Sequence, residues 1–160
     1  MADYKKTRKL SDTDAAYIAG LIDGEGSISL TRRHKNENRQ LEISISNNDM
    51  KLLHYVRDAA GTGRIVNKKT YSKKHSPGAS YLISNRQALD LLQQITPYLL
   101  TYKAQRAELV LDNYLRLTPR NGRYSENMKT EREMFVAQFL AVKPGSNKTM
   151  KKHLSANERK

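Results

Sequence analysis

The period of the hydrophobic positions switches repeatedly along this 160-residue chain, and each switch marks an element. Tyr17 to Ser27 reads Tyr-Ile-Ala-Gly-Leu-Ile-Asp-Gly-Glu-Gly-Ser, an apolar, small-residue stretch in which Ala16, Gly20 and Gly24 recur every four residues and so share one helical face. Ser11 and Asp14 have capping-box spacing, and Leu10 and Ala15 take the hydrophobic-staple positions. A helix is therefore predicted from about Asp12 to Asp23. After Gly26 the period falls to two. Ile28 and Leu30 alternate with Ser27, Ser29, Thr31 and Arg33, and Leu41, Ile43 and Ile45 alternate with Gln40, Glu42, Ser44 and Ser46, which predicts a half-buried hairpin with a polar loop over His34 to Asn38.

Helical spacing returns at Leu52, Leu53, Val56 and Ala60, with Asn48 or Asp49 as the cap and Gly61 as the stop. A second hairpin follows, Arg64 to Lys68 and Ser80 to Ser84, joined by a basic loop containing Pro77-Gly78. Asn85 is expected to cap a third helix with Ala88, Leu91, Leu92 and Ile95 on one face, stopping before Pro97. Beyond it, Thr101 caps a helix through about Leu117, with Ala104, Ala107, Leu111 and Tyr114 inward, halted by Pro119. A last helix, Glu126 to Val142, is expected to bury Met134, Phe135, Phe139 and Leu140. The order α-β-β-α-β-β-α implies an α+β layer with helices on one sheet face and the other face open to a partner.

Composition says what kind of partner. Lys and Arg outnumber Asp and Glu by 29 to 16, a formal charge of +13 that points to a polyanion. An antiparallel ribbon can enter a DNA major groove, so Ser29, Thr31, Arg33, Gln40, Glu42, Ser44, Ser46, Arg64, Lys68 and Ser80 become candidate base or phosphate contacts. Strands of about eight residues span about 26 Å, the reach of roughly eight base pairs. The length suits one ordinary domain, expected over residues 11–142, after a basic N-terminal arm at 1–10 and before a basic tail at 143–160. Cysteine is absent, which removes disulfides, thiolate zinc sites and cysteine nucleophiles. Neither a signal peptide nor a run of about 20 apolar residues is seen, so a soluble, unsecreted, intracellular protein without a membrane partner is expected, its compartment unspecified.

The chemistry concentrates where the first helix ends. Asp23 and Glu25 sit among Gly20, Gly24 and Gly26, at a helix terminus whose unpaired carbonyls already carry partial negative charge. Carboxylates there repel unless a cation joins them, and oxygen ligands favour Mg²⁺. A bare Asp-Gly-Glu-Gly is more readily read as an ordinary glycine stop with solvated side chains. His34, His54, His75 and His153 have no ligand spacing, which argues against a histidine-held metal.

The whole string from Tyr17 to Ser27 closely resembles the signature of the LAGLIDADG homing endonucleases, and the resemblance extends over roughly Asp12 to Leu117. It implies the αββαββα fold of that family, an antiparallel β-saddle lying along the major groove, with additional C-terminal helices here. It also implies a site-specific, Mg²⁺-dependent DNA endonuclease that cuts both strands across the central minor groove, leaving short 3′ overhangs, typically encoded within an intron. A single signature implies a homodimer on a pseudo-palindromic site, with Ala16, Gly20 and Gly24 at the two-fold axis.

By position in the signature, Glu25 matches the metal ligand, with the Gly24 carbonyl as an extra ligand and Asp23 in a structural place. Lys103, in Pro97 to Arg106, resembles the family lysine near the scissile phosphate. Asn47 falls where the family often has a Gln bonding water around the metals, although Asn47-Asn48-Asp49 replaces the commoner Gln-Lys-Asp. The rival reading keeps the scaffold and drops the cut, giving an intron RNA splicing maturase or a DNA-binding regulator. A basic ribosome-associated protein would explain the charge but not the glycine-framed carboxylates.

Overall fold

The computed structural model describes residues 4–69 and 78–145. Its elements are α1 (Asp12–Glu25), β1 (Gly26–Thr31), β2 (Gln40–Asn47), α2 (Met50–Ala60), β3 (Arg64–Asn67), β4 (Ala79–Ser84), α3 (Asn85–Ile95), a 3₁₀ turn (Thr96–Tyr98), α4 (Tyr102–Asn113) and α5 (Glu126–Ala141). The described residues fall into two compact units, divided between Leu99 and Leu100. The Pro77 side of the second hairpin loop, His75, His153 and the tail from 146 lie outside the described residues.

In the first unit four antiparallel strands take the order β1-β2-β4-β3, and α1, α2 and α3 pack on one face. Strand alternation divides the side chains. Ile28, Leu30, Leu41, Ile43, Ile45, Tyr81 and Ile83 turn to the helices and are buried. Ser27, Ser29, Thr31, Gln40, Glu42, Ser44, Ser46, Ser80 and Arg64 share the opposite face. Ala15, Ile18, Ala19 and Ile22 form the buried stripe of α1, while Ala16, Tyr17, Gly20 and Gly24 stay exposed. Burial pushes the Tyr81 phenol above its ordinary pKa, and its hydroxyl donates to the Thr62 carbonyl at 3.0 Å.

The start of the chain is stitched to the helices. The Arg8 N–H donates to the Ala60 carbonyl, the Leu10 N–H to Gln94 Oε1, and the Tyr4 hydroxyl to Asp90 Oδ1. Gln94 returns an Nε2–H to the Arg8 carbonyl. Ser11 then caps α1 by accepting from the Asp14 N–H at 3.1 Å, and Asp49 caps α2 by accepting from Lys51. Asp14 also accepts from the Tyr55 hydroxyl, which pushes Tyr55 up to about 12, and the Tyr55 ring meets Tyr17 edge to face.

Several expected details differ. Asn85 is not a cap: Ser84 holds that position, and Asn85 opens α3 in the left-handed region at φ 55°, which Asn tolerates better than most residues. The helix after Thr101 ends at Asn113 rather than Leu117, and Pro97 lies within the 3₁₀ turn. In the second unit, Phe135 and Phe139 are buried as expected, but Met134 is 59% exposed and Leu140 is exposed as well. Arg132, Phe135, Phe139 and Val142 form the inward stripe instead. Arg132 is accommodated because Nη1 donates to the Leu117 carbonyl at 2.5 Å and to Thr118 Oγ1 at 2.8 Å, with its guanidinium beside the Tyr114 and Tyr124 rings.

Candidate functional site

The last residue of α1 is Glu25, two residues beyond the expected end. Gly26 closes the helix with its N–H on the Ile22 carbonyl and at once pairs with Ile45 of β2, so the carboxylate is carried at a fixed junction of helix and sheet. Gly26 is required there by space. A Cβ would stand 2.7 Å from Ile22 Cα and 2.8 Å from the Ser44 carbonyl oxygen.

Asn47, the last residue of β2, reaches the same point. Its Nδ2 donates to Glu25 Oε2 at 2.6 Å while its Oδ1 accepts from the Asp49 N–H at 2.7 Å. The second bond orients the amide so that its donor end faces the carboxylate. Asn47 therefore acts as a positioning residue for Glu25 in this structure. Asn47→Ala is expected to lower any activity that needs an oriented Glu25 by about 10–100-fold, as loss of a supporting hydrogen bond commonly does. Single-turnover rates at saturating substrate check this, and an unchanged rate refutes it.

An open cleft of about 370 Å³ adjoins this pair, lined by Glu25, Ser46, Asn47, Asn48, Lys68, Gly78 and Ala79. The Lys68 N–H donates to the Gly78 carbonyl, which extends the β3–β4 pairing one step and carries Lys68 to the cleft. A lysine beside a carboxylate in an open cleft suits an anionic ligand with a bound cation. Asn48 and Gly78 escaped sequence reasoning as cleft residues. Asn48 resembled a helix cap, and Gly78 a plain turn residue, yet a Cβ on Gly78 would meet Asn48 Oδ1 at 3.0 Å.

The other expected residues separate into groups. Gly24 and Asp23 precede Glu25 on α1, with Gly24 exposed and Asp23 half-buried. No group of three or more His, Cys, Asp or Glu side chains suited to a metal occurs among the described residues. Within one chain, then, Glu25 offers a carboxylate but no complete side-chain cage. Arg33 lies past the end of β1, in the exposed loop rather than on the sheet face. Ser80 is on that face but only 6% exposed, its Oγ 2.8 Å from Ser46 Oγ between flanking strands. Lys103 belongs to the second unit, where it is 7% exposed with its ammonium 5.8 Å from the Tyr102 ring centre.

On α1, the exposed face of Ala16, Gly20 and Gly24 is open. A Cβ at Gly20 or at Gly24 would meet nothing within 4 Å. No helix among the described residues is long and apolar enough to cross a membrane.

The family model for LAGLIDADG endonuclease matches residues 18–114. Among solved structures, the chain is similar to the homing endonuclease I-CvuI in complex with its target in the presence of calcium, at 17% identity and TM-score 0.65, covering 84% of this chain and 85% of that one. It is also similar to the archaeal intron-encoded homing endonuclease I-Vdi141I complexed with DNA, at 16% identity and TM-score 0.63, covering 84% and 87%. A third, the LAGLIDADG meganuclease I-CpaMI bound to uncleaved DNA, has 17% identity and TM-score 0.63, covering 90% of this chain and 48% of that one.

Proposed function

The chain belongs to the LAGLIDADG endonuclease family, and from that premise we propose that it is a homodimeric, Mg²⁺-dependent homing endonuclease, intron-encoded, making double-strand breaks in a long pseudo-palindromic DNA site. The observation that carries this reading is Glu25, held by Asn47 at the exposed end of the signature helix beside Lys68, with the small-residue face of the same helix open. The donor chemistry fits a hard cation. Glu25 is exposed and anionic, the Gly24 carbonyl adjoins it, and a second copy would bring a second Glu25.

When bound, the ion would neutralise charge at the scissile phosphate and lower the pKa of a water. The chain's own groups orient and attract. Asn47 holds the Glu25 carboxylate, and Lys68 draws phosphate to the cleft. In the hydrolysis, water adds to phosphorus as the P–O bond to the leaving oxygen breaks, and that oxygen takes up a proton. The sheet face of Ser29, Thr31, Gln40, Glu42, Ser44, Ser46, Ser80 and Arg64 lies in the major groove, Arg33 and Lys68 reaching beyond its ends.

The decisive experiment is incubation with a randomised duplex library and Mg²⁺, followed by sequencing of the cut ends. Paired cuts within a two-fold symmetric consensus support the proposal, and an uncut library sinks it. The dimer has its own test in Gly20→Ala. Because a Cβ there is unopposed within the chain, alanine is expected to stabilise the isolated fold by about 0.5–1 kcal/mol through helix propensity. Against a closely approaching second helix the same methyl is expected to cost about 1–3 kcal/mol of association. Urea unfolding of the dilute chain reads the first effect and sedimentation at graded concentration the second, and dimerisation unaffected by Gly20→Ala refutes this axis.

A further inference from the structure

The outer face of the sheet is built of cross-strand rows. One runs Ser27, Ser44, Leu82, Arg64, and the next Ser46, Ser80, Val66. The hydroxyls in these rows are turned to one another: Ser27 Oγ lies 2.8 Å from Ser44 Oγ and 3.2 Å from Ser29 Oγ, and Ser46 Oγ lies 2.8 Å from Ser80 Oγ. Short side chains bonded among themselves make a low polar floor. Leu82 and Val66 stand on it as apolar side chains, each half-buried.

Neither is needed by the core. On β4 the helix-facing positions are Tyr81 and Ile83, both buried, and Leu82 between them points the other way. Beside Leu82 in its row is Arg64, exposed and cationic, and Lys68 lies further along the same side of the ribbon. That charge complements phosphate, while the apolar point between the hydroxyls complements an apolar group at a base edge. In the major groove such a group is the C5-methyl of a pyrimidine.

We propose that Leu82 reads the C5-methyl group of one pyrimidine in each half of the bound duplex. This rests on the DNA reading above and adds a specificity-determining residue to it. The methyl belongs to thymine or to 5-methylcytosine, and Val66 walls the same position from the neighbouring row.

The test uses the full chain and a duplex selected from a randomised library, with binding measured in calcium. Each thymine is replaced in turn by deoxyuridine and each cytosine by 5-methylcytosine. At one position per half-site, removal of the thymine methyl is expected to weaken binding about fourfold, the worth of one buried methyl, or addition of the cytosine methyl to strengthen it as much. Loss on the first arm identifies thymine, and gain on the second identifies 5-methylcytosine. Leu82→Ala is expected to abolish the difference. Indifference of the wild-type chain to every methyl overturns the assignment, whatever the variant does, and so does a methyl effect that survives in Leu82→Ala. A library that yields no bound duplex overturns the DNA reading itself, and this assignment with it.

Discussion

Glu25→Gln is expected to bind the selected duplex as the wild-type chain does and to cut it on the order of 10³-fold more slowly or not at all. The substitution keeps the size of the side chain and leaves an amide oxygen able to accept from Asn47 Nδ2, so α1 and its junction with β1 are undisturbed. What it removes is the formal charge that, in the function proposed above, gathers a divalent cation. Glu25 is exposed and is not part of the buried α1 stripe, so no loss of stability accompanies the change. Gel-shift affinity together with single-turnover cleavage separates the two quantities. Equal cutting by the variant would take Glu25 out of the chemistry, and loss of binding as well as cutting would mean that the carboxylate organises the fold or the dimer instead.

The second large effect is on folding. Gly26→Ala is expected to destabilise the chain by about 1–3 kcal/mol, because the added methyl meets backbone on two sides and neither can rotate away. The backbone of Gly26 has φ −106°, open to any residue, so the cost is purely one of volume. Relief requires the end of α1 to move off β2, which carries Glu25 away from Asn47. A lowered urea midpoint with unchanged slope, together with slower cleavage, is the expected pair of results. Gly24→Ala, with both variants unfolded at a dilution where the chain is monomeric, is the folding control, since a Cβ at Gly24 is unopposed within the chain. A midpoint equal for the two variants would refute the steric account.

Much of the architecture was legible because period and punctuation agree. The alternation through Ile28–Leu30 and Leu41–Ile45 sets which side of the hairpin is apolar, and Gly61, left-handed at φ 68°, ends α2 where a glycine stop belongs. The candidate site was proposed from an eleven-residue string that no periodicity argument could have supplied. What stayed hidden depends on partners distant in sequence. Arg132 looks like a surface residue until the Leu117 carbonyl and Thr118 hydroxyl accept from it, and Met134 and Leu140 look like core until that stripe rotates them outward. Asn85 has the chemistry of a cap but was used for its tolerance of positive φ. Lys68 meets Glu25 in one cleft only because the β3–β4 register continues one step past the strand, which local sequence does not reveal.

The stitching of residues 4–10 to α2 and α3 bears on the order in which the chain acquires its shape. Tyr4 and Leu10 find their partners at Asp90 and Gln94, 86 and 84 positions further on. During synthesis these residues precede both partners, so these two bonds cannot form until the third helix has been made. Closing so wide a loop is entropically costly and raises contact order. Residues 4–10 thus form a clasp whose last fastenings wait for α3.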